Sequence, residues 1–455
     1  MPGVQNFGDG LLLTFYGDDV TGSTDCLEAA ALAGIPAMVF LSPPSSKDLS
    51  RYPSLRVVGV AGSSRSRTPD WMSDNLPGVF AKLKALGAPI CHYKTCSTFD
   101  SAPMIGSIGR AIEIGEDVFG RPVPVVVGVA KHRRYVVFSN LFAATRVAGG
   151  RDIVRIDRHP TMSRHPITPM DEADLRIHLA RQTARKIASF DFCEMLAEDA
   201  QSAFAERLQS ADVVILDTFD AATTRRAGQL LAGYAAREPA FVAGSSGVEY
   251  ALFDHLAAEG LLSSAPLPTP CGPVDRIVAL FGSCSPVTES QIAWAEKNGF
   301  AVIAADTVAL AGNGSAAEAS LADEVAGTLS QSKGVVVYTA RGPSDPQIAR
   351  TRQVLERIGG SLDGYPSLGE ALGRVLRSVI DRTGARRVAL GGGDSSTYAL
   401  SQLGVDAFDL AGPLVPGAPL CRIHARSRSL EGVEIAFKGG QVGEADFIGR
   451  LCAGR

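Results

Sequence analysis

Two adjacent acids, Asp18 and Asp19, end the apolar run in "LLLTFYGDDVTGSTD", and a Thr-Gly-Ser-Thr turn and a helical pattern follow them. Carboxylates placed where a buried strand surfaces can cap the next helix, hold a cation or accept a proton from a substrate. One Asp is enough for a cap, which leaves the other free for chemistry. The same half carries Arg65 and Arg67 in "GSSRSRTP", and Lys94, Ser97, Thr98, Asp100 and Ser101 in "YKTCSTFDS". Arg158, His159, Arg164, His165 and Thr168 follow in "DRHPTMSRHPITPMDEADL". Basic side chains suit a substrate carboxylate, whereas hydroxyls and acids suit a polyol. The bland alternative for each is a local cap or a solvated charge. The spacing of His159 and His165 matches no common metal site, and no metal-ligating residue is assigned.

The second half offers glycine-rich turns instead. Gly282-Ser283-Cys284-Ser285 precedes Pro286, which suits a first helical turn that Ser285 can cap. Gly391-Gly392-Gly393-Asp394-Ser395-Ser396 repeats the plan, and Lys438-Gly439-Gly440 ends a third apolar run with a cation. Free N–H groups at such turns bind anions, and glycine lets backbone approach a ligand closely. Three such turns favour a phosphate site over ordinary connections. The chain has no GxGxxG, no GxxxxGK[ST] and no GxSxG, so the dinucleotide fingerprint, the P-loop and the nucleophile elbow are absent.

The elements that must position these groups are short apolar runs alternating with helical patterns. Strands are predicted at Leu11–Tyr16, Ala37–Leu41, Val57–Val60, Val123–Val129 and Val213–Leu216, with Lys94 closing a further one. A second series is Ile277–Phe281, Gly334–Thr339, Arg387–Leu390 and Val433–Phe437, with helices over Glu289–Lys297 and Pro346–Ile358. Unbroken Val/Ile/Leu runs mean strands buried on both faces. The expected fold is α/β, with two open, mostly parallel α/β domains and a cleft between them. The proline-rich "SSAPLPTPCGPVD" marks the boundary, giving domains 1–268 and 269–455.

Composition agrees, since 455 residues exceed one compact core and 45% are hydrophobic against 20% charged. A net charge of −4 gives no reason to expect nucleic acid or an anionic membrane as partner. The N-terminus lacks a secretory pattern, and the eight cysteines form no CxxC pair. Reduced thiols in the cytoplasm are expected.

Taken in order, "YGDDVTGSTD", "YKTCSTFDS", "RHPITPMDEADL", "GSCSPVTESQ", "GGGDSS" and "FKGGQVG" resemble the four-carbon acid sugar kinase family, from about residue 11 to 447. The resemblance implies a sugar-acid-binding domain followed by an ATP-binding domain. It also implies phosphorylation of the terminal hydroxyl of a tetronate or 3-oxo-tetronate. On it, Asp18 or Asp19 is the general base, and Lys94 belongs to the substrate loop. Ser283, Ser285, Gly391, Gly392, Gly393, Asp394, Ser395 and Gly440 fall on nucleotide-binding positions. Two segments depart from the family pattern: Cys96–Ser101 replaces Asp-Ser-Thr-Leu-Arg-Gly, and "VVVGVAKHRRYVVFSNLFA" replaces a proline-rich stretch. Both lie on the substrate side and point toward a branched acid such as 3-oxo-isoapionate.

The expected reaction is phosphoryl transfer from ATP with Mg2+ to a small-molecule acid sugar. Arg65, Arg67, Lys94 and Arg158 would hold the substrate carboxylate, with Ser97, Asp100 and His165 beside it. A homodimer is the expected assembly. The rivals are an NAD-dependent oxidoreductase, disfavoured by the missing fingerprint, and a non-catalytic sensor, which has no use for three phosphate-type turns.

Overall fold

Strands form where the Val/Ile/Leu runs predict them. They are seen in a computed structural model that describes residues 7, 8, 10–147, 150–165, 167–262, 267–357 and 366–455. The first half contributes β1 (Leu13–Gly17), β2 (Ala37–Phe40), β3 (Val57–Ala61), β4 (Ile90–Lys94) and β5 (Val123–Val126). It continues with β6 (Arg134–Val137), β7 (Asn140–Val147), β8 (Gly150–Arg155), β9 (Ile187–Phe190), β10 (Val213–Leu216) and β11 (Ala240–Gly244). The second half adds β12 (Ile277–Phe281), β13 (Ala301–Ala304), β14 (Gly334–Tyr338), β15 (Arg387–Gly391), β16 (Ala407–Val415), β17 (Ala418–His424) and β18 (Glu434–Lys438). The central runs are buried throughout, as strands covered by helices on both faces must be.

The predicted helices begin at Pro286 and Pro346, the first running to Lys297 and the second to Arg357, with Ile358 outside the described residues. The proline-rich boundary is irregular over 267–275, and its residues 263–266 lie outside the described set. The predicted strand Val123–Val129 stops at Val126. The hairpin β16–β17 and a separate three-stranded antiparallel sheet, β6-β7-β8, were not legible. Their mixed polar and apolar faces carry no unbroken run. No helix among the described residues is long and apolar enough to cross a membrane.

The large sheet is continuous through both halves in the order β13-β14-β12-β15-β18-β17-β16-β2-β3-β1-β4-β11-β5-β10-β9. Strands β2 to β9 of that order are parallel, as are β13 to β18, and the hairpin β16–β17 joins the two blocks by antiparallel pairing. A flat sheet would hold β1 and β15 six strand spacings apart, about 29 Å. Yet the residues just beyond them touch: Val20 N donates to Thr397 Oγ1 at 3.1 Å. The sheet therefore curls. Register shifts in β16 between Leu410 and Gly412, and between Gly412 and Val415, supply bends of the kind bulges produce. Helix Val20–Leu32 fills the curl, touching β2, β3, β16, β17, β18 and helix Gly393–Leu403. Being surrounded, it is apolar on most sides, and its Val20, Cys26, Leu27 and Ala30 share one buried cluster with Phe408, Ile423 and Phe437 of the other half.

Arg387 anchors the second half. It is 1% exposed, donates to Glu434 Oε2 at 2.6 Å, and reaches the carbonyls of Gly272, Leu451 and Cys452. Replacement by Leu leaves those acceptors unpaired. We expect Arg387→Leu to lower stability by about 3–5 kcal/mol in urea unfolding.

Candidate active site

The parallel order β3-β1-β4 brings three carboxyl-end turns together: residues 62–67, 18–19 and 95–101. The two acids divide their work. Asp19 has extended backbone and caps helix Val20–Leu32, accepting from Gly22 N at 2.5 Å. It also accepts from Thr21 Oγ1 at 3.0 Å and from Arg65 Nη1 at 3.3 Å, so its oxygens are fully engaged. Asp18 is 4% exposed, and its Oδ1 has no hydrogen-bond partner among the described residues. Burial first, then the neighbouring Asp19 charge, push the Asp18 carboxyl up to about 7.

Arg65 ties this pair to the loop from 95 to 101. Its Nη2 donates to Asp100 Oδ2 at 2.7 Å, while Thr98 and Thr168 hydroxyls donate to the same carboxylate at 2.5 and 3.0 Å. Burial opposes the Asp100 charge, but Arg65, His165 and the two hydroxyls outweigh it and hold the carboxyl down at about 2. His165 accepts from Thr168 N at 3.1 Å, and burial keeps its imidazole below the ordinary value. Between Thr98 and Asp100 the fully buried Phe99 adopts φ of 54°, a left-handed conformation that costs energy in a bulky residue and turns the loop toward Arg65.

Lys94 closes β4. It is 1% exposed, donates to the Thr95 carbonyl at 3.0 Å and pairs with Asp25 at 3.7 Å. Burial disfavours its charge, but Asp25, Cys26 and Asp18 more than offset this and keep the ammonium protonated. Gly22 makes the approach feasible: a Cβ there would meet Asp19 Oδ1 at 3.0 Å, Lys94 Nζ at 3.1 Å and Asp18 Oδ1 at 3.6 Å.

Across the curl, β12, β15 and β18 lie side by side and deliver the three glycine turns to one place. Ser285 caps helix Pro286–Lys297 through Thr288 N at 3.1 Å and also donates to the Gly440 carbonyl. Ser283 Oγ accepts from Ser285 N at 3.3 Å, and a Cβ at Gly440 would lie 2.8 Å from that hydroxyl. Gly392 has φ of 120°, and a Cβ on it would strike Ser395 Oγ. Gly391 packs against Phe281 and Gly392 N donates to the Lys438 carbonyl at 2.8 Å, so bare backbone is presented by Gly393, at the start of helix Gly393–Leu403. Burial pushes Asp394, in that first turn, up to about 6 against the pull of Arg65. Lys438 is fully buried and braces Thr288 Oγ1 and the Gly439 carbonyl, each at 3.2 Å, with burial lowering it to about 7.

The two sets meet. A Cβ at Gly393 would lie 3.3 Å from Asp19 Oδ2, and Ser66 Oγ bonds the Tyr398 hydroxyl at 2.9 Å. Not every predicted residue joins. Arg67 stacks over Trp71 and Tyr398, Ser97 is half-buried at the loop, and Arg158 is exposed beside Asp157. His159 is spent on loop packing, accepting from Thr161 N and Met162 N at 3.2 Å. Sequence reasoning passed over Asp25, although it closes the "TGSTD" motif, and Tyr398, although it follows "GGGDSST".

A carboxylate free to take a proton, beside cations for an acid and facing backbone turns for phosphate, can transfer a phosphoryl group to a hydroxyl. Comparison with known proteins agrees. Residues 13–252 match the family described as sugar-binding N-terminal domain, and residues 278–448 the nucleotide-binding C-terminal domain. The chain is 46% identical to the 3-oxo-isoapionate kinase of Paraburkholderia graminis, over 98% of this chain and 95% of that protein. It is 28% identical to the 3-oxo-tetronate kinase of Methylobacterium radiotolerans, over 97% and 98%. A crystal structure of a Haemophilus influenzae protein superposes with a TM-score of 0.65 at 20% identity, covering 96% and 98%, which bears on the fold alone. The matched domains, and the identity held along nearly the whole length, show that this chain belongs to the four-carbon acid sugar kinase family.

Proposed function

We propose that the protein moves the γ-phosphoryl group of ATP to a primary hydroxyl of a branched acid sugar, 3-oxo-isoapionate being the first candidate. Kinase activity on an acid sugar follows from the family; the branched substrate rests on the 46% identity and on the two departures in the substrate loops. The division we favour is substrate binding by residues 1–268 and nucleotide binding by 269–455, with the reaction in the cytoplasm, where all eight free thiols stay reduced.

Asp18 is the base in this reading. One observation carries it: of the two acids, Asp19 is saturated by a helix N-terminus, a hydroxyl and a guanidinium, whereas buried Asp18 keeps one oxygen unpaired among the described residues. Asp18 orients the substrate hydroxyl and takes its proton as the bond to phosphorus forms. Arg65 and Lys94 hold the acid, and the amides of Gly393 and Asp394 at the start of helix Gly393–Leu403, with the Ser283 hydroxyl, hold the phosphates. Magnesium fits the oxygen donors present: the Asp394 carboxylate has no hydrogen bond or ion pair among the described residues. The ion would be held by Asp394 and by the nucleotide, and when bound it neutralises phosphate charge.

Purified protein with ATP, Mg2+ and 3-oxo-isoapionate should release ADP; absence of ADP with every branched and linear acid tested sinks the reading. Chelation with EDTA should stop turnover, and Mg2+ should restore it. Asp18→Asn should lower kcat by about a hundredfold or more. The base works ionised, so kcat/KM for the acid should rise with pH along a limb centred near 7. The same group has a stability signature. Its folded value is raised from 3.8 to about 7, so the stability contributed by proton binding is complete below the unfolded value. It is lost as pH rises toward the folded value. Because Asn mimics the protonated form, Asp18→Asn should melt like wild type near pH 4 and several degrees higher at pH 8.

A further inference from the structure

We propose that Asp25, His132, Ser246 and Tyr250 form a second subsite, beyond Lys94 from Asp18, that binds the hydroxyl-bearing arm of the acid and sets which acid is accepted. The inference rests on the kinase reading above and deepens it. Four buried polar atoms there lack a well-aligned hydrogen-bond partner among the described residues: Asp25 Oδ1, His132 Nε2, Ser246 Oγ and Tyr250 Oη. Buried polar groups are nearly always paired, because an unmade bond leaves the full desolvation penalty. Four orphans in one place mark a site built for a polar guest.

They are one place. Asp25 Oδ2 lies 3.7 Å from Lys94 Nζ, and Asp25 Oδ1 lies 3.7 Å from His132 Nδ1. The Ser246 hydroxyl faces Asp25 without forming a well-aligned bond. The His132 ring stands edge-on to Tyr250, with centroids 5.9 Å apart. Four neighbouring parallel strands supply the set at their carboxyl ends: β1 leads to Asp25, β4 ends at Lys94, β11 leads to Ser246 and Tyr250, and β5 leads to His132. That edge is where open α/β sheets bind ligands. Lys94 links the subsite to the reacting carboxylate, because a Cβ at Gly22 would touch both Lys94 Nζ and Asp18 Oδ1.

The donor set favours a polyol. Hydroxyls and imidazole donate and accept, and the Asp25 carboxylate accepts. Asp25, Glu28 and His132 also have their ligand atoms within 4.8 Å of one another, the spacing for a cation. The Lys94 ammonium already occupies Asp25, however, and would repel a divalent ion. His132 lies in the segment that departs from the family pattern, as expected of a residue that reads a variable substrate arm.

The test compares full-length wild type, Tyr250→Phe and His132→Gln. Binding of 3-oxo-isoapionate and of 3-oxo-tetronate is measured by calorimetry, and KM values by ADP release. Tyr250→Phe removes only an unpartnered hydroxyl, so its melting temperature should be unchanged or higher. Its Kd and KM for the branched acid should rise about tenfold, with KM for ATP unmoved and the linear acid less affected. His132→Gln should behave alike toward the acids. Wild-type acid affinity in both variants overturns the subsite, as does failure of wild type to bind either acid. Acid binding that depends on Tyr250 without any ADP release would overturn the kinase reading and leave the subsite standing. Zinc or manganese binding to wild type that Asp25→Asn abolishes would make the cluster a metal site and overturn the proposal.

Discussion

Three carboxylates, of Asp18, Asp19 and Asp100, are buried within reach of one guanidinium and one ammonium, and this crowding governs how the surrounding chain is arranged. Buried charges survive only when paired or hydrogen-bonded. Asp19 is satisfied by a helix N-terminus, which fixes where helix Val20–Leu32 begins. Asp100 is satisfied by Arg65 and two hydroxyls, which fixes the loop from 95 to 101 against the turn from 62 to 67. What is left over falls on Asp18, whose carboxyl responds by holding its proton more tightly. A carboxyl of raised proton affinity thus arises from the failure of the local chain to satisfy one acid of two.

The second constraint is the curl. The glycine turns and the acids belong to blocks of strands separated by the β16–β17 hairpin, and in a flat sheet neither would see the other. Bends in β16 and the apolar helix Val20–Leu32 let the sheet wrap, so that Gly393 backs onto Asp19 and Tyr398 onto Ser66. Arg67, expected to bind substrate, lies over the rings of Trp71 and Tyr398 and so touches both halves.

Much of this was legible in the residues. The apolar runs located most central strands to within three residues, because strands buried on both faces leave unbroken Val/Ile/Leu signatures; β11, reading Ala-Phe-Val-Ala-Gly, was missed. "GDDVTGSTD" exposed the cap and its spare acid, because a cap needs only one carboxylate. The rest depends on distances that no local pattern encodes. Asp25, His132, Ser246 and Tyr250 are spread over 226 residues of chain and meet only because β1, β4, β11 and β5 are neighbours. The antiparallel hairpin and the β6-β7-β8 sheet were missed because half-exposed strands mix polar with apolar residues, which reads as loop.

Among the described residues, strand pairing between the blocks is brief: Phe40 and Val39 face Ala407 and Phe408, and Leu41 N donates to the Asp406 carbonyl at 3.2 Å. During synthesis β2 precedes its partner β16 by more than 360 residues, and until β16 emerges it is a naked border, open to any other strand of suitable length. Shortness is the safeguard: four residues offer too few hydrogen bonds to hold a stranger, yet enough to receive β16 once helix Val20–Leu32 has already brought it close.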